Sequence, residues 1–179
     1  VHLLKEPVSG WNALQLSSSI STLSIWPGKR LEAIDIQSLP QYLTELNITH
    51  STLLSETVQF LPRTLLRLTV PQDNHLDDAC IKHLPGCLIE LSLSSNIWIT
   101  ERCAVHLPPH LEILALPLSK KWTLDGISRL PRSLRTLRLY QIGLPPNCPF
   151  PTVLKAIHAL PPWVDWQNPR FSCTELRRW

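Results

Sequence analysis

The 179-residue chain has no methionine, only five cysteines and no long apolar run. Its longest predominantly apolar stretches, such as residues 111–118, are far shorter than the roughly 20 residues of a membrane-spanning helix. The first residues also lack the charged-then-apolar layout of a signal peptide. Because the sequence opens with Val1, its natural start has been removed or it is a piece of a longer protein, and we favour the second explanation.

Five cysteines are an odd number, and no two of them form a CxxC pair. This spacing argues against a disulfide framework and against a compact zinc site. We therefore expect reduced thiols and an intracellular protein, cytoplasmic rather than secreted. The net charge of +3 is mild, and no block of like charges suggests a nucleic-acid partner.

A ten-residue phrase that opens with Leu-Pro recurs five times, at a spacing of 22 or 23 residues. Its copies read LPQYLTELNI from Leu39, LPRTLLRLTV from Leu61, LPGCLIELSL from Leu84, LPPHLEILAL from Leu107 and LPRSLRTLRL from Leu130. A weaker copy, LSSSISTLSI, begins at Leu16. A fixed period of this length indicates stacked structural units that share one core.

Each phrase predicts a short strand, because its last two apolar residues are two positions apart, as in Leu46 and Ile48. The proline donates no backbone N–H and suits the start of a strand. Between phrases, apolar residues five positions apart predict short helices or 3₁₀ turns. Residues suited to the helix N-termini precede two of them: Asp77, Asp78, Thr100 and Glu101.

The phrases resemble the leucine-rich repeat, whose core is LxxLxLxxN followed by a convex segment. The Leu-Pro opening is similar to the LPX class of bacterial effectors and to the FNIP-type repeats of slime moulds. This resemblance implies an α/β fold: a curved right-handed solenoid with short parallel strands on its concave side and short helices or 3₁₀ turns on its convex side. At the family's asparagine position, which caps buried backbone, only Asn96 matches.

The phrases also divide the chain. We expect an N-terminal capping segment over 1–15, six repeats of about 23 residues over 16–140, and a degenerate repeat with a C-terminal cap over 141–179. The rhythm breaks after residue 140, because the next Leu-Pro comes at Leu160 and Gln167 then stands where an apolar residue belongs.

Motifs for catalysis are lacking: there is no GxSxG, P-loop or HExxH sequence. We therefore expect no enzyme activity, no cofactor, no metal site and no small-molecule or membrane partner. His83 and His106 share a repeat position, so a metal pair is conceivable, but no third ligand shares the spacing, and this favours exposed residues on the helical side. Cys80 and Cys103 also share a repeat position, which would allow a disulfide. We favour buried free thiols that act as small apolar residues.

The resemblance implies that the concave face binds another protein. The outward strand positions form two rows, Thr22, Glu45, Arg67, Glu90, Ile113, Thr136 and Ser24, Asn47, Thr69, Ser92, Ala115, Arg138. A third row contains Trp26 and Tyr140, which alternatively pack beneath the N- and C-terminal segments. Interface energy concentrates in Trp, Tyr and Arg. The predicted partner-binding residues are Trp26, Glu45, Arg67, Glu90, Arg138 and Tyr140. The predicted function is a protein-interaction module or scaffold within a larger protein, and the alternative is a structural subunit of a large assembly.

Overall fold

The computed structural model describes residues 2–4, 19–25, 30–49, 52–70, 75–94, 96–118, 122, 124–141 and 165–167. Over these residues the protein is α/β, with a parallel main sheet and short helices. The strands are β1 (His2–Leu4), β2 (Thr22–Ile25), β3 (Arg30–Leu31), β4 (Glu45–Ile48), β5 (Thr52–Leu53), β6 (Arg67–Thr69), β7 (Glu90–Ser92), β8 (Ile113–Leu118), β9 (Thr136–Gln141) and β10 (Asp165–Gln167). The helices are Ala33–Gln37, Ser55–Phe60, Asp78–Ile81, Glu101–His106 and Leu124–Ser128, and the second and fourth are 3₁₀.

The main sheet has eight described strands in the order β1-β2-β4-β6-β7-β8-β9-β10, and β3 pairs with β5 in a second, two-stranded sheet. Strands from successive phrases pair parallel, and equivalent leucines stand opposite one another. For example, Leu46 is opposite Leu68, which is opposite Leu91. The prediction that the phrases form one parallel sheet is confirmed, because antiparallel neighbours would have given a different register.

A strand lies beyond each end of the repeated region. β1 lies in the segment that we predicted as an N-terminal cap, and it pairs with β2, the first strand of the repeats. β10 pairs with β9, and its register places Trp166 opposite Leu137. When the phrase from Leu160 is compared with the other phrases, Gln167 is predicted at the position of Leu137. This prediction was wrong by one residue. The phrase from Leu160 reaches its strand one position early. Most of the two predicted end segments lies outside the described residues, so their division stays a prediction.

The inner face of the sheet and the helices enclose a single apolar core. Leu46, Leu68 and Leu91 from the strands are fully buried, as are Ile36 and Val58 from the helices. Neighbouring helices pack against one another in chain order. Burial of each aliphatic side chain contributes about 1.5–3 kcal/mol. The core therefore stabilises the stack mainly through contacts between repeats, since one repeat alone cannot cover its leucines.

Capping residues start the helices at fixed places. Asp77 and Thr100 are N-caps whose side chains accept from the amides of Cys80 and Arg102, as the sequence predicts. Asp78 extends this pattern between repeats, because its carboxylate accepts from the amide of Thr100 at 2.7 Å. The start of the Glu101–His106 helix is thus held by Thr100 of its own repeat and by Asp78 of the preceding repeat.

Hydrogen bonds between successive turns form a ladder that the sequence analysis missed. The residue before the second leucine of the phrase bonds two carbonyls of the preceding turn. Thr64 Oγ1 lies 2.7 Å from the carbonyl oxygen of Gln41 and 2.8 Å from that of Leu43. Ser133 Oγ makes the equivalent contacts, at 2.9 and 2.7 Å, and Cys87 Sγ does so at 2.8 and 3.2 Å. We call Thr64, Cys87 and Ser133 the turn ladder.

None of the helices in the described part of the chain has the length and apolar character to cross a membrane.

Candidate interaction surface

The outer face of the main sheet carries both rows of side chains that the sequence predicts. Successive register partners run from Thr22 to Thr136 in the first row and from Ser24 to Arg138 in the second. We call these twelve residues the polar face. All of them are exposed or half-buried except Ala115, which is only 2% exposed. The alternation of strand residues therefore separates a leucine face from a polar one.

Four of the predicted binding residues on the polar face are joined in one chain of charges. Arg67 lies between two carboxylates, with Nη1 3.8 Å from Oε2 of Glu45 and Nε 3.7 Å from Oε2 of Glu90. Arg138 Nη1 donates to the other oxygen of Glu90 at 3.2 Å. We call Glu45, Arg67, Glu90 and Arg138 the charge chain. Carboxylate and guanidinium groups alternate along it.

The bond from Arg138 to Glu90 crosses an entire strand, because β8 lies between β9 and β7. The register partners in β8 are Ala115 for Arg138 and Ile113 for Glu90. A methyl side chain at Ala115 leaves a low path for the guanidinium across the sheet. Ala115 is buried, as expected if the Arg138 side chain lies over it. A larger residue at 115 would obstruct the path.

The charge chain remains accessible to solvent. The Arg67 side chain is 54% exposed, and those of Glu45 and Arg138 are 42% and 35% exposed. Ion pairs with this exposure contribute about 0–1 kcal/mol to stability, because water screens them and ordering the side chains costs entropy. These ion pairs therefore contribute little to holding the fold.

The two aromatic candidates differ in what the structure says of them. Tyr140 is half-buried on β9, opposite the buried Pro117 of β8. Trp26 lies outside the described residues, so its predicted role is untested. Most of the segment predicted to cover Tyr140 also lies outside the described residues.

The sequence analysis did not predict one further exposed aromatic residue, Trp98. Trp98 and Ile97 are 53% and 54% exposed in the loop after β7, and the Trp98 ring stacks on His75 with centroids 6.3 Å apart. The loop backbone is fixed by Asn96, whose Oδ1 accepts from the Trp98 amide at 2.7 Å. An exposed tryptophan on a fixed backbone is a suitable anchor for a protein partner. The only signal for it in the sequence was an Ile-Trp pair directly after Asn96.

Candidate metal ligands do not cluster in the described part of the chain. No cluster there holds three or more His, Cys, Asp or Glu side chains placed for a metal ion. His83 and His106 are both exposed. A small cavity lined by Leu116, Trp122 and Ile127 is apolar.

The described cysteines are free thiols in different surroundings. Cys80 and Cys103 are buried, as predicted, and Cys87 is half-buried. Burial raises the pKa of the Cys80 thiol from 9.0 to about 11, with a smaller contribution from the charge of Asp77. Burial raises the pKa of Cys103 further, helped by the charge of Asp78. Neither buried thiol is an activated nucleophile.

No family model, curated protein or solved structure matches the chain. The interpretation of the polar face therefore depends on its own geometry.

Proposed function

We propose that this chain is a leucine-rich repeat solenoid within a larger protein, and that it binds a partner protein through the polar face. In this proposal the polar face is concave and the short helices form the convex side. Support comes from the parallel sheet, the regular register and the single core that all repeats share. The chain acts as a scaffold without an enzymatic activity. Free thiols at Cys80, Cys87 and Cys103 suit an intracellular, cytoplasmic location.

The observation that carries the proposal is the charge chain. It presents alternating signs across five neighbouring strands, with parallel strands about 4.8 Å apart. The two ion pairs of Arg67 are long, and its side chain is solvent-exposed, so a partner can exchange them for its own carboxylates at little cost. The Arg138–Glu90 pair is shorter, at 3.2 Å, and half-buried. The remaining polar-face residues are mostly small, which lets a partner approach closely. Electrostatic matching of this kind supplies specificity and register.

Binding measurements on surface variants test the proposal. The wild-type chain is used to capture a partner, which is then purified and titrated against each variant. Arg67→Ala, Arg138→Ala and Tyr140→Ala should each weaken binding by about tenfold, since arginine and tyrosine contribute most at interfaces. Their melting temperatures should stay close to that of the wild type, because the side chains are outside the core.

Matched controls separate the polar face from the helices and from the core. Arg102→Ala removes an exposed arginine from the Glu101–His106 helix and should leave binding intact. Leu91→Ala removes a fully buried side chain and should cost roughly 2–5 kcal/mol of stability. The proposal is wrong if the three polar-face variants bind normally while Arg102→Ala abolishes binding.

A further inference from the structure

The structure separates basic from acidic residues between two sides of the main sheet, where the strands begin and where they end. We call these two sides its edges. At the amino ends of the strands, the turns span residues 36–44, 58–66, 81–89, 104–112 and 127–135, all of them described. They contain five lysines and arginines but only one acidic residue, Glu112. We call the five cations the basic edge: Arg63, Lys82, Arg129, Arg132 and Arg135. His83, His106 and His110 lie in the same turns.

The opposite edge, where the helices begin, is mostly acidic among the described residues. Its carboxylates include Glu32, Glu56, Asp77, Asp78, Glu101 and Asp125, and its described cations are Arg30 and Arg102. Acidic residues favour helix N-termini, which explains their location. The modest net charge of the chain hides this separation, because the two edges offset each other.

Direct contacts show that the turns of the basic edge are neighbours in space. The turn ladder bonds three of these turns to the one before, as Ser133 does to the carbonyls of Pro109 and Leu111. The backbone amide of Glu112 joins the 104–112 turn to the preceding one by donating to the carbonyl of Ile89. Arg63 Nη1 donates to the carbonyl of His83 in the next turn at 3.4 Å. All five cations are exposed. The charges therefore form a strip along the sheet in two groups, Arg63 with Lys82 and Arg129 with Arg132 and Arg135, and the 104–112 turn between the groups has no lysine or arginine.

Part of this strip is already neutralised within the chain. Arg129 pairs with Asp125 in its own helix, and Arg135 lies 3.7 Å from Glu112. Arg63, Lys82 and Arg132 have no acidic partner among the described residues. These three cations are available to carboxylates or phosphates from another molecule.

Exposed aliphatic side chains accompany the cations. Val105 is 60% exposed beside His106, and Ile89 is 36% exposed at the end of the turn that contains Cys87. An acidic peptide that contains leucine or isoleucine can bury these groups while its carboxylates meet the cations. A nucleic-acid backbone has no branched aliphatic side chain of the leucine or isoleucine kind to place there, although phosphates satisfy the same charges.

From this combination we propose that the basic edge is a second binding surface, separate from the polar face, for an acidic protein segment with interspersed aliphatic residues. Its cations give the attraction and the on-rate, and Val105 and Ile89 select the aliphatic residues of the segment. The polar face is free to hold another partner at the same time, because the edge lies at the strand ends and not on the strands.

Fluorescence anisotropy on the full chain tests this surface with three labelled probes. They are a peptide of repeated Glu-Glu-Leu, a polyglutamate peptide and an oligodeoxythymidylate, all of equal charge. The Glu-Glu-Leu peptide should bind most tightly, and raised salt should weaken it. Lys82→Glu with Arg132→Glu should weaken it by about tenfold or more. Arg30→Glu with Arg102→Glu makes the same change in net charge at the other edge and should have little effect.

The aliphatic contribution has its own pair of variants. Val105→Ser should reduce the preference for Glu-Glu-Leu over polyglutamate, and Ile97→Ser at the opposite edge should leave it unchanged. Equal losses in the two charge-reversal variants would show general attraction and overturn the surface. Tighter binding of the oligonucleotide would assign the edge to nucleic acid, and absence of peptide binding at low salt would also reject the proposal.

Discussion

The side-chain amide of Asn96 donates to the carbonyl oxygen of Leu76 at 2.8 Å, although the two residues are 20 positions apart. The same side chain accepts from the backbone amides of Trp98 at 2.7 Å and Ile99 at 3.2 Å. Asn96 is 1% exposed, so these three backbone groups depend on it in place of water. One asparagine therefore joins two successive loops.

Replacement of Asn96 by alanine should cost about 2–4 kcal/mol of unfolding free energy, because buried backbone groups lose their partner. Asn47→Ala is the matched control. Asn47 lies on the polar face, and its Oδ1 has no hydrogen-bond partner, so its loss should cost less than about 1 kcal/mol. Urea denaturation of both variants measures the difference. Equal costs would mean that Asn96 does not hold the loop.

Sequence reasoning located Asn96 and the strand register because both follow from the repeat period. Residue Glu45 must face the same side as Arg67 and Glu90 once strands alternate and phrases align. The reach of Arg138 to Glu90 was not predictable in this way, since it depends on the small Ala115 between them. Which groups a long side chain contacts depends on distances in the folded structure, and the repeat period does not give these distances.

The exposure of Trp98 also lay beyond the pattern. It follows strand β7 in a loop whose path depends on the Asn96 bonds, and a hydropathy pattern favours burial for tryptophan. The one-residue shift at Trp166 has a similar origin. Degenerate phrases keep the strand but lose the spacing that fixed the register.

The turn ladder gives a second prediction. Thr64→Val keeps the shape of the side chain but removes the hydroxyl that serves the carbonyls of Gln41 and Leu43. The expected cost is about 0.5–1.5 kcal/mol, the usual net value of a hydrogen bond. Cys87→Ser replaces a weak donor by a stronger one and should be neutral or stabilising. Thermal melting of both variants checks this, and a more stable Thr64→Val protein would show that the ladder is not a stabilising contact.

The thiols give a third prediction, best measured in a background where Cys148 and Cys173 are serine. Because burial raises the pKa of Cys80 to about 11, its thiolate should be roughly a hundredfold scarcer near neutral pH than for an unperturbed thiol. Cys80 and Cys103 should label slowly until the protein unfolds, and the half-buried Cys87 should label faster. Rapid labelling of Cys80 in the native state would contradict the buried assignment.

The same thiol makes stability depend on alkaline pH. The folded-state pKa of Cys80 is higher than its ordinary value of 9.0, so the protonated thiol favours the folded state. Its contribution is complete below pH 9 and is lost as the pH rises towards 11. The urea midpoint should fall across that window, and the fall should be smaller in Cys80→Ala than in the wild type.

Gly126 supports the last prediction, because the Leu124–Ser128 helix approaches the Glu101–His106 helix closely there. A methyl group added at Gly126 would collide with Cβ of Glu101 in the neighbouring helix. Helix propensity alone favours alanine over glycine by about 1 kcal/mol within the Leu124–Ser128 helix. The collision should reverse this sign and make Gly126→Ala destabilising by about 1–3 kcal/mol.

Gly86→Ala is the matched control for Gly126→Ala, since a methyl group at Gly86 meets nothing within 4 Å. Its unfolding free energy should stay within about 0.5 kcal/mol of the wild type. Urea denaturation of the two variants decides between propensity and packing. If Gly126→Ala proves more stable than the wild type, the two helices lie far enough apart to leave room for the added methyl group beside Glu101. Their packing would then contribute less to the stack than the leucine core on the other side.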